Sequence, residues 1–213
     1  MYDSKYQFPM LILQGLRLYC SRMQSVFASL KSRLLFWVWG IESGEGSKFE
    51  GKVILSTRRR GQIVLGKNVI FNSRISGNLA GMSHPTIIDC HAQGAKLTIG
   101  DNAGFSSVAI NCRTSITIGR NVKVGADVRI YDHDFHSIES DYRKSCADAM
   151  HIRKKPIVIG DDCFIGAQSI ILKGTRLANE TIVAAGSVVF GLDVPPKSLV
   201  KGNPAVIVYS LNG

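Results

Sequence analysis

Lys155 to Val189 reads KPIVIGDDCFIGAQSIILKGTRLANETIVAAGSVV, and its period decides the fold. Taken in sixes from Ile159, the hexads open Ile159-Gly160, Ile165-Gly166, Ile171-Leu172, Leu177-Ala178 and Val183-Ala184. Each starts with a branched aliphatic, usually followed by a small residue. The fifth places hold Cys163, Ser169, Thr175, Thr181 and Ser187, all small. A fixed short period marks a solenoid, because each unit can bury its apolar face only against the next. Six residues make one short strand plus a tight corner. The aliphatic points into a stacked core, and small residues let the backbone turn. The pattern predicts an all-β parallel β-helix.

Outward from that stretch the period weakens in two places. Ile63 to Ile70 contains a first clear hexad at Leu65-Gly66, and Val53-Ile54-Leu55 precedes it as a strand. Hexads resume at Ile99-Gly100, Ile118-Gly119 and Val124-Gly125. Between these groups, Ser76 to Gly94 carries Asn78, Gly81, Ser83, His84 and Pro85 and reads as a loop or irregular coil. From Asp132 to Pro156 the period vanishes again, in a polar run with no core pattern. Long irregular loops in a compact solenoid cost conformational entropy and commonly carry function.

That second loop, about residues 131–156, opens with Asp132, His133, Asp134 and His136 inside five residues. The cluster suits general base chemistry: imidazole titrates near neutrality, and a carboxylate can orient its other nitrogen. His84, His91 and His151 have no supporting context and read as loop or surface residues.

The chain has 213 residues, enough for a substantial core and one appendage. Its five cysteines are an odd number at no metal-ligand spacing, so reduced thiols in a cytoplasmic protein are expected. Cys163 occupies a small-residue place in a hexad and reads as packing rather than as a nucleophile. Net charge is +10, and residues 1–60 hold ten Lys or Arg against four Asp or Glu. That asymmetry points to an anionic substrate or an acidic membrane surface. No nucleic-acid motif accompanies it, and no nucleic-acid partner is expected. Arg58-Arg59-Arg60 reads as a solvated corner, with binding of an anionic sugar or phosphate as the sharper reading.

Residues 1–43 form a different kind of segment. Leu16, Cys20, Met23, Phe27, Leu30, Leu34 and Trp37 recur at three- and four-residue steps, as in an amphipathic helix. Arg17, Arg22, Lys31 and Arg33 interrupt any apolar run long enough to span a bilayer. No small-residue cleavage site of a signal peptide is present. Two readings stay open. The helix packs on the β-helix or on a neighbouring subunit, or residues 1–40 rest on an anionic membrane with Trp37 and Trp39 at the boundary. Gly44-Glu45-Gly46-Ser47 is the expected flexible joint, with a β-helical domain over 44–213.

The motifs YDHDFHSI (131–138), KPIVIGDDCFIGAQSIILKG and AAGSVV, followed by VPP and KGNPA, resemble the hexapeptide-repeat acyltransferases. Within that family they look like the sugar O-acetyltransferases of the maltose, galactoside, lipopolysaccharide and capsule types, over roughly residues 95–208. The resemblance implies a left-handed parallel β-helix, although crossovers in ordinary sheets are right-handed. It implies acetyl transfer from acetyl-CoA to a sugar or glycan hydroxyl in cell-surface polysaccharide synthesis, without a covalent enzyme intermediate. A loop histidine is then the base. His136, followed by Ser137-Ile138, fits the family pattern better than His133, with Asp134 or Asp132 orienting the ring.

The same resemblance places acetyl-CoA in a groove between adjacent β-helices. It would lie along Gly166, Ala167, Ala185 and Gly186, with Phe164 where relatives often carry Trp. Backbone groups of Ala184 to Ser187 would help to stabilise the oxyanion. Two departures concern the nucleotide end: Phe190-Gly191-Leu192 replaces a usual Thr-Lys, and Val206 a usual basic residue, leaving Lys201 or Lys197 to substitute. Arg113, with Asn111 nearby, stands where maltose-type enzymes carry an acidic acceptor residue, which suits an anionic acceptor. A homotrimer with sites at subunit boundaries is implied, at the inner face of the membrane or free in the cytoplasm, with no metal. Two other classes stay open: a metal-dependent hydratase of the β-helical carbonic anhydrase type, and a non-catalytic scaffold.

Overall fold

The computed structural model describes residues 26–74, 78 and 80–210. Among these residues the chain winds as a triangular solenoid whose three faces are parallel sheets of seven, seven and six strands, the second extended by one antiparallel strand. Sheet A runs from Glu42–Ser43 through Ile63–Leu65, Lys96–Ile99, Ser115–Ile118, Ile157–Ile159 and Arg176–Leu177 to Asp193–Val194. Sheet B starts at Lys48–Gly51 and climbs through Ile70–Ser73, Gly104–Ser106, Lys123–Val124, Phe164–Ile165 and Ile182–Val183 to Ser198–Gly202. Sheet C holds Val53–Thr57, Thr86–Cys90, Ala109–Asn111, Arg129–Tyr131, Ile170–Leu172 and Val188–Phe190. Each coil visits A, B and C in turn, so the hexad period becomes one aliphatic per face.

Register stacks those aliphatics into three columns. On sheet A, Leu65, Ile99, Ile118, Ile159, Leu177 and Val194 lie above one another. Sheet C stacks Ile88, Ile110, Ile130, Ile171 and Val189. Sheet B begins with three rings, Phe49, Phe71 and Phe105, and continues as Val124, Ile165, Val183 and Val200. All are buried. Burying one such side chain is worth about 1.5–3 kcal/mol, which is why the period persists.

The small fifth-place residues answer to hydrogen bonding as well as space. Ser169 Oγ donates to Ala184 O at 3.0 Å, Thr175 Oγ1 to Val189 O at 3.2 Å and Ser187 Oγ to Ala184 O at 2.7 Å. Ser169 and Ser187 thus share the Ala184 carbonyl, and every one of these buried hydroxyls has a backbone partner. At the A–B corner, Asn68, Asn102, Asn121 and Asp162 adopt positive φ and chain their side chains together at 2.9–3.2 Å. Asn and Asp tolerate that backbone region best among residues with a Cβ.

Two expectations need correction. Gly44 to Ser47 is no free joint: Glu42–Ser43 already pairs with Val64–Leu65, and Ser47 Oγ donates to Gly66 O while accepting from Val69 N–H. The glycines read as flexibility are the first tight corner. Ser76 to Gly94 also contains a regular strand, Thr86–Cys90, with alternating burial between two sheet C neighbours. Its loop-forming flank hid it.

The ends of the solenoid are covered. A helix, α1 (residues 26–39), closes the first coil. Ser32 Oγ accepts the Phe49 amide at 2.7 Å, satisfying an edge strand, and Phe36 packs edge-on against the Phe49 ring. Gly40, at φ +62°, ends α1 in a Schellman turn, with Ile41 N–H on Phe36 O at 2.8 Å. Leu16, Cys20 and Met23 of the expected amphipathic stripe lie outside the described residues. At the far end Ala205–Ser210 folds back antiparallel on Ser198–Gly202.

Candidate active site

The irregular loop leaves the C–A corner after Tyr131 on a short two-stranded neck. His133 bridges Lys154, Asp134 N–H donates to Arg153 O at 3.0 Å, and Lys155 N–H donates to Asp132 O at 2.9 Å. Asp132 anchors the neck from inside. Its fully buried carboxylate accepts the Arg113 and Thr114 amides at 2.8 and 2.7 Å and the Thr114 hydroxyl at 2.8 Å. Burial alone would raise this carboxyl, but His133, Arg113 and Thr114 outweigh it and hold it below the usual carboxylate range. Beyond the neck, Arg143 Nη1 donates to Ser137 O at 2.8 Å and to Ile138 O at 3.1 Å, and Tyr142 stacks on His151. The loop is polar in sequence yet tied throughout.

His136 stands on the outer rim with its side chain 70% exposed. Its Nδ1 lies 2.7 Å from Asp148 Oδ2, and the other Asp148 oxygen accepts the Ser137 amide at 2.7 Å. The bond to His136, then that from Ser137, holds the Asp148 carboxyl below its ordinary range. An anionic Asp148 fixes the tautomer with the proton on Nδ1 and leaves Nε2 as the free acceptor. No described residue occupies Nε2. This is the geometry of an oriented general base open to a ligand.

The orienting carboxylate is not one of the two expected. Asp132 clamps the 112–114 turn, and Asp134 pairs with Lys173, whose ammonium also lies 4.6 Å above the Phe190 ring. Asp148 sits twelve residues beyond His136, and the loop, which includes the short helix Ser140–Arg143, brings it back. Sequence alone did not separate it from Glu139 and Asp141 in the same run.

His133, the competing base, is enclosed. Its Nδ1 is 3.2 Å from Asp132 Oδ1, its ring lies 4.6 Å from Phe135, and its Nε2 is buried without a partner. No acceptor reaches it in this conformation. Asn111 lies directly beneath Tyr131 in sheet C, and Arg113 on the turn below the neck, so both border the loop. The other histidines lie elsewhere: His84 beside Ser107 and Asp127, His91 on Asp89, His151 on Tyr142. Among the described residues no three His, Cys, Asp or Glu side chains gather as a metal-ligand set. Burial pushes the Cys163 thiol up to about 11, which keeps it protonated at neutral pH.

The residues expected to hold the acyl donor come together at a different corner. Phe164 lies in the sheet B column with Ile182 and Leu199, and Gly166, Ala184 and Lys201 follow those strands onto the B–C corner, one coil above another. Gly166 is demanded by stacking alone, since a Cβ there would lie 2.4 Å from Ala185 N. Gly186 differs: a Cβ would meet nothing within 4 Å, and Ala185 beside it is exposed. The ridge therefore offers exposed backbone, flanked by half-exposed Phe164 and by Lys201, where a slender ligand arm could approach closely. Sheet C separates this ridge from the loop. Its strands are about three residues, roughly 10 Å, wide. Within one chain no described contact joins His136 to the ridge.

The family profile for the hexapeptide repeat of succinyl-transferase matches residues 156–190. A 2,3,4,5-tetrahydropyridine-2,6-dicarboxylate N-acetyltransferase of Clostridium perfringens is 46% identical over 59 residues, 28% of this chain and 25% of that protein. WbbJ of Escherichia coli K12, named for lipopolysaccharide biosynthesis O-acetyl transfer, is 31% identical over 46% of this chain and 52% of its own length. The chain thus spans a quarter to a half of these relatives. A hexapeptide-repeat acetyltransferase of Vibrio cholerae O1 biovar eltor, solved with acetyl coenzyme A, is 27% identical, covering 78% of this chain and 72% of that one, with a TM-score of 0.50. On its winding, its repeat and these likenesses, the chain is a hexapeptide-repeat β-helix protein similar to acetyltransferases.

Proposed function

We propose that the protein is an acyl-CoA-dependent O-acetyltransferase acting on a sugar or glycan precursor, with His136 as general base and Asp148 orienting it. The observation that carries this reading is the His136–Asp148 pair, fixed at 2.7 Å through Nδ1 with the imidazole 70% exposed. Acetyl-CoA supplies an activated thioester. The chain supplies the rest: the B–C ridge positions the donor, Nε2 takes the acceptor hydroxyl proton as the oxygen attacks the thioester carbonyl, Asp148 stabilises the imidazolium, and the C–S bond breaks to release CoA, whose sulfur takes back that proton. Asn111 and Arg113 border the acceptor side, and Arg113 favours an anionic acceptor. The WbbJ likeness supports the sugar and polysaccharide setting.

The separation of loop and ridge supports a homotrimer in which His136 of one copy faces the ridge of the next. We place the reaction in the cytoplasm, where free cysteines such as Cys90, Cys112, Cys146 and Cys163 stay reduced. The test is free-thiol release from acetyl-CoA over a panel of neutral, anionic and amino sugars. Release should depend on one acceptor class and fall about 100- to 10,000-fold in His136→Ala. Reaction of amino sugars alone would replace the oxygen acceptor by nitrogen. Equal release by wild type and variant would remove His136 from the mechanism, and absence of both turnover and CoA binding would leave a scaffold.

A further inference from the structure

Among the described residues, helix α1 buries one face and leaves the opposite face bare. Ser32 and Phe36 seal the first coil, while Phe27, Leu30, Leu34 and Trp37 are 58–69% exposed. At about 100° per residue these four, with Val26 and Val38, occupy an arc of roughly 120° opposite Phe36. Lys31 and Arg33 fall on the two borders of that arc. An apolar stripe of this width, edged by cations on both sides, is the pattern of a helix lying in a bilayer interface, where long basic side chains reach up to headgroups.

A second feature meets the stripe at its C-terminal end. Arg58, Arg59 and Arg60 form a held turn: the Oε1 of buried Gln62 accepts the Arg58 and Arg59 amides at 2.8 Å each, and its Nε2 donates to Ala92 O at 2.8 Å. Gly61 N–H donates to Gly40 O at 3.1 Å, tying this turn to the end of α1. Val38, Trp39, Gly40 and the three arginines line one depression. All three arginines are exposed, and none makes an ion pair with a described residue; Glu42, against Gly61, is the nearby carboxylate.

We infer that this end of the solenoid docks on a bilayer carrying anionic lipid headgroups, with the α1 stripe in the interface and Arg58–Arg60 on the phosphates. Charge selects the occupant. A two-fold contact with a second copy would set this cationic face against itself, whereas an anionic surface complements it, at roughly 1 kcal/mol per basic residue near the surface. The inference goes beyond the proposed acyl transfer, because vesicle binding needs neither donor nor acceptor.

The experiment is flotation of the full chain with vesicles of phosphatidylcholine alone or mixed with phosphatidylglycerol, followed by tryptophan emission. Wild type should float with the anionic vesicles at least about tenfold better than with neutral ones, less so at high salt, with a blue shift. Leu34→Glu/Trp37→Glu and Arg58→Glu/Arg59→Glu/Arg60→Glu should each lose about tenfold or more of that binding. All five positions are exposed, and circular dichroism checks that both variants keep the β-helix. Equal binding to both vesicle types, or binding retained by both variants, overturns the inference. So does a change in molar mass of the stripe variant by light scattering without vesicles, which would assign the face to a second copy.

Discussion

The B–C corner and the C–A corner are built by the same winding and treat sequence in opposite ways. At B–C the repeat is kept: Gly125, Gly166 and Ala184 stack coil on coil, so tightly that a Cβ at Gly166 has no room. At C–A the repeat is broken by an excursion that Asp132 pins from inside and Asp148 folds back from outside. Regular stacking yields a rigid, featureless ridge suited to holding an extended molecule. The break yields a tethered side chain suited to moving a proton. The proposed reaction uses both, and one chain keeps them on opposite edges of sheet C.

The sharpest way to break the comparison is at the stacked corner. Gly166→Val should cost about 3 kcal/mol or more by overpacking, lowering the melting temperature by roughly 6–12 °C. Gly186→Asn, where space is open and Asn tolerates the positive φ, should melt within about 2 °C of wild type. It should nevertheless weaken acetyl-CoA binding, read by calorimetry. Equal destabilisation by both changes would mean that the ridge is one structural unit with no open side.

At the broken corner the carboxylates separate roles. Asp148→Asn should reduce turnover about 100-fold or more with the fold intact, because it forfeits the tautomer control of His136. Asp134→Asn, which loses only a pair to Lys173, should stay within about threefold of wild type. The reverse ranking would reinstate the carboxylate expected from sequence.

Acid titration sharpens the contrast further. Asp132 and Asp148 both have carboxyls depressed in the folded state. Their stabilising contribution is therefore present above the unfolded value of about 3.9 and is lost as pH falls through the lower folded values. Melting temperature should decline below about pH 4, and Asp132→Asn should flatten that decline while costing about 1–3 kcal/mol at neutral pH. The smallest expected effect is Cys163→Ala, which should leave turnover within about twofold, since burial holds that thiol protonated.

The regular parts of the molecule were legible because one residue type recurs for one reason. Ile159, Ile165 and Ile171 each face the same core, so six-residue spacing announces them. Thr86–Cys90 alternates just as well, but a single strand between Pro85 and a glycine turn carries too little period to register. The glycines of 44–47 were ambiguous in principle, since a tight corner and a flexible joint both favour Gly. The C–A loop announced its chemistry through His133 and His136 but not its wiring. Asp148 reaches His136 only through the loop's own tertiary path, and Asp132 looked available until the structure showed its bonds spent on Arg113 and Thr114.

The measurement that tests the two-corner account most directly is complementation between copies. His136→Ala removes the base, and Ala185→Trp fills the exposed ridge; each alone should be nearly inactive. Unfolded, mixed in equal amounts and refolded together, the two variants should recover about a quarter of wild-type turnover, because in a closed ring one boundary in four pairs an intact loop with an intact ridge. Recovery at that level would place the site between copies. Mixed oligomers without any regained activity would contradict the account and require His136 and the ridge to meet within one chain.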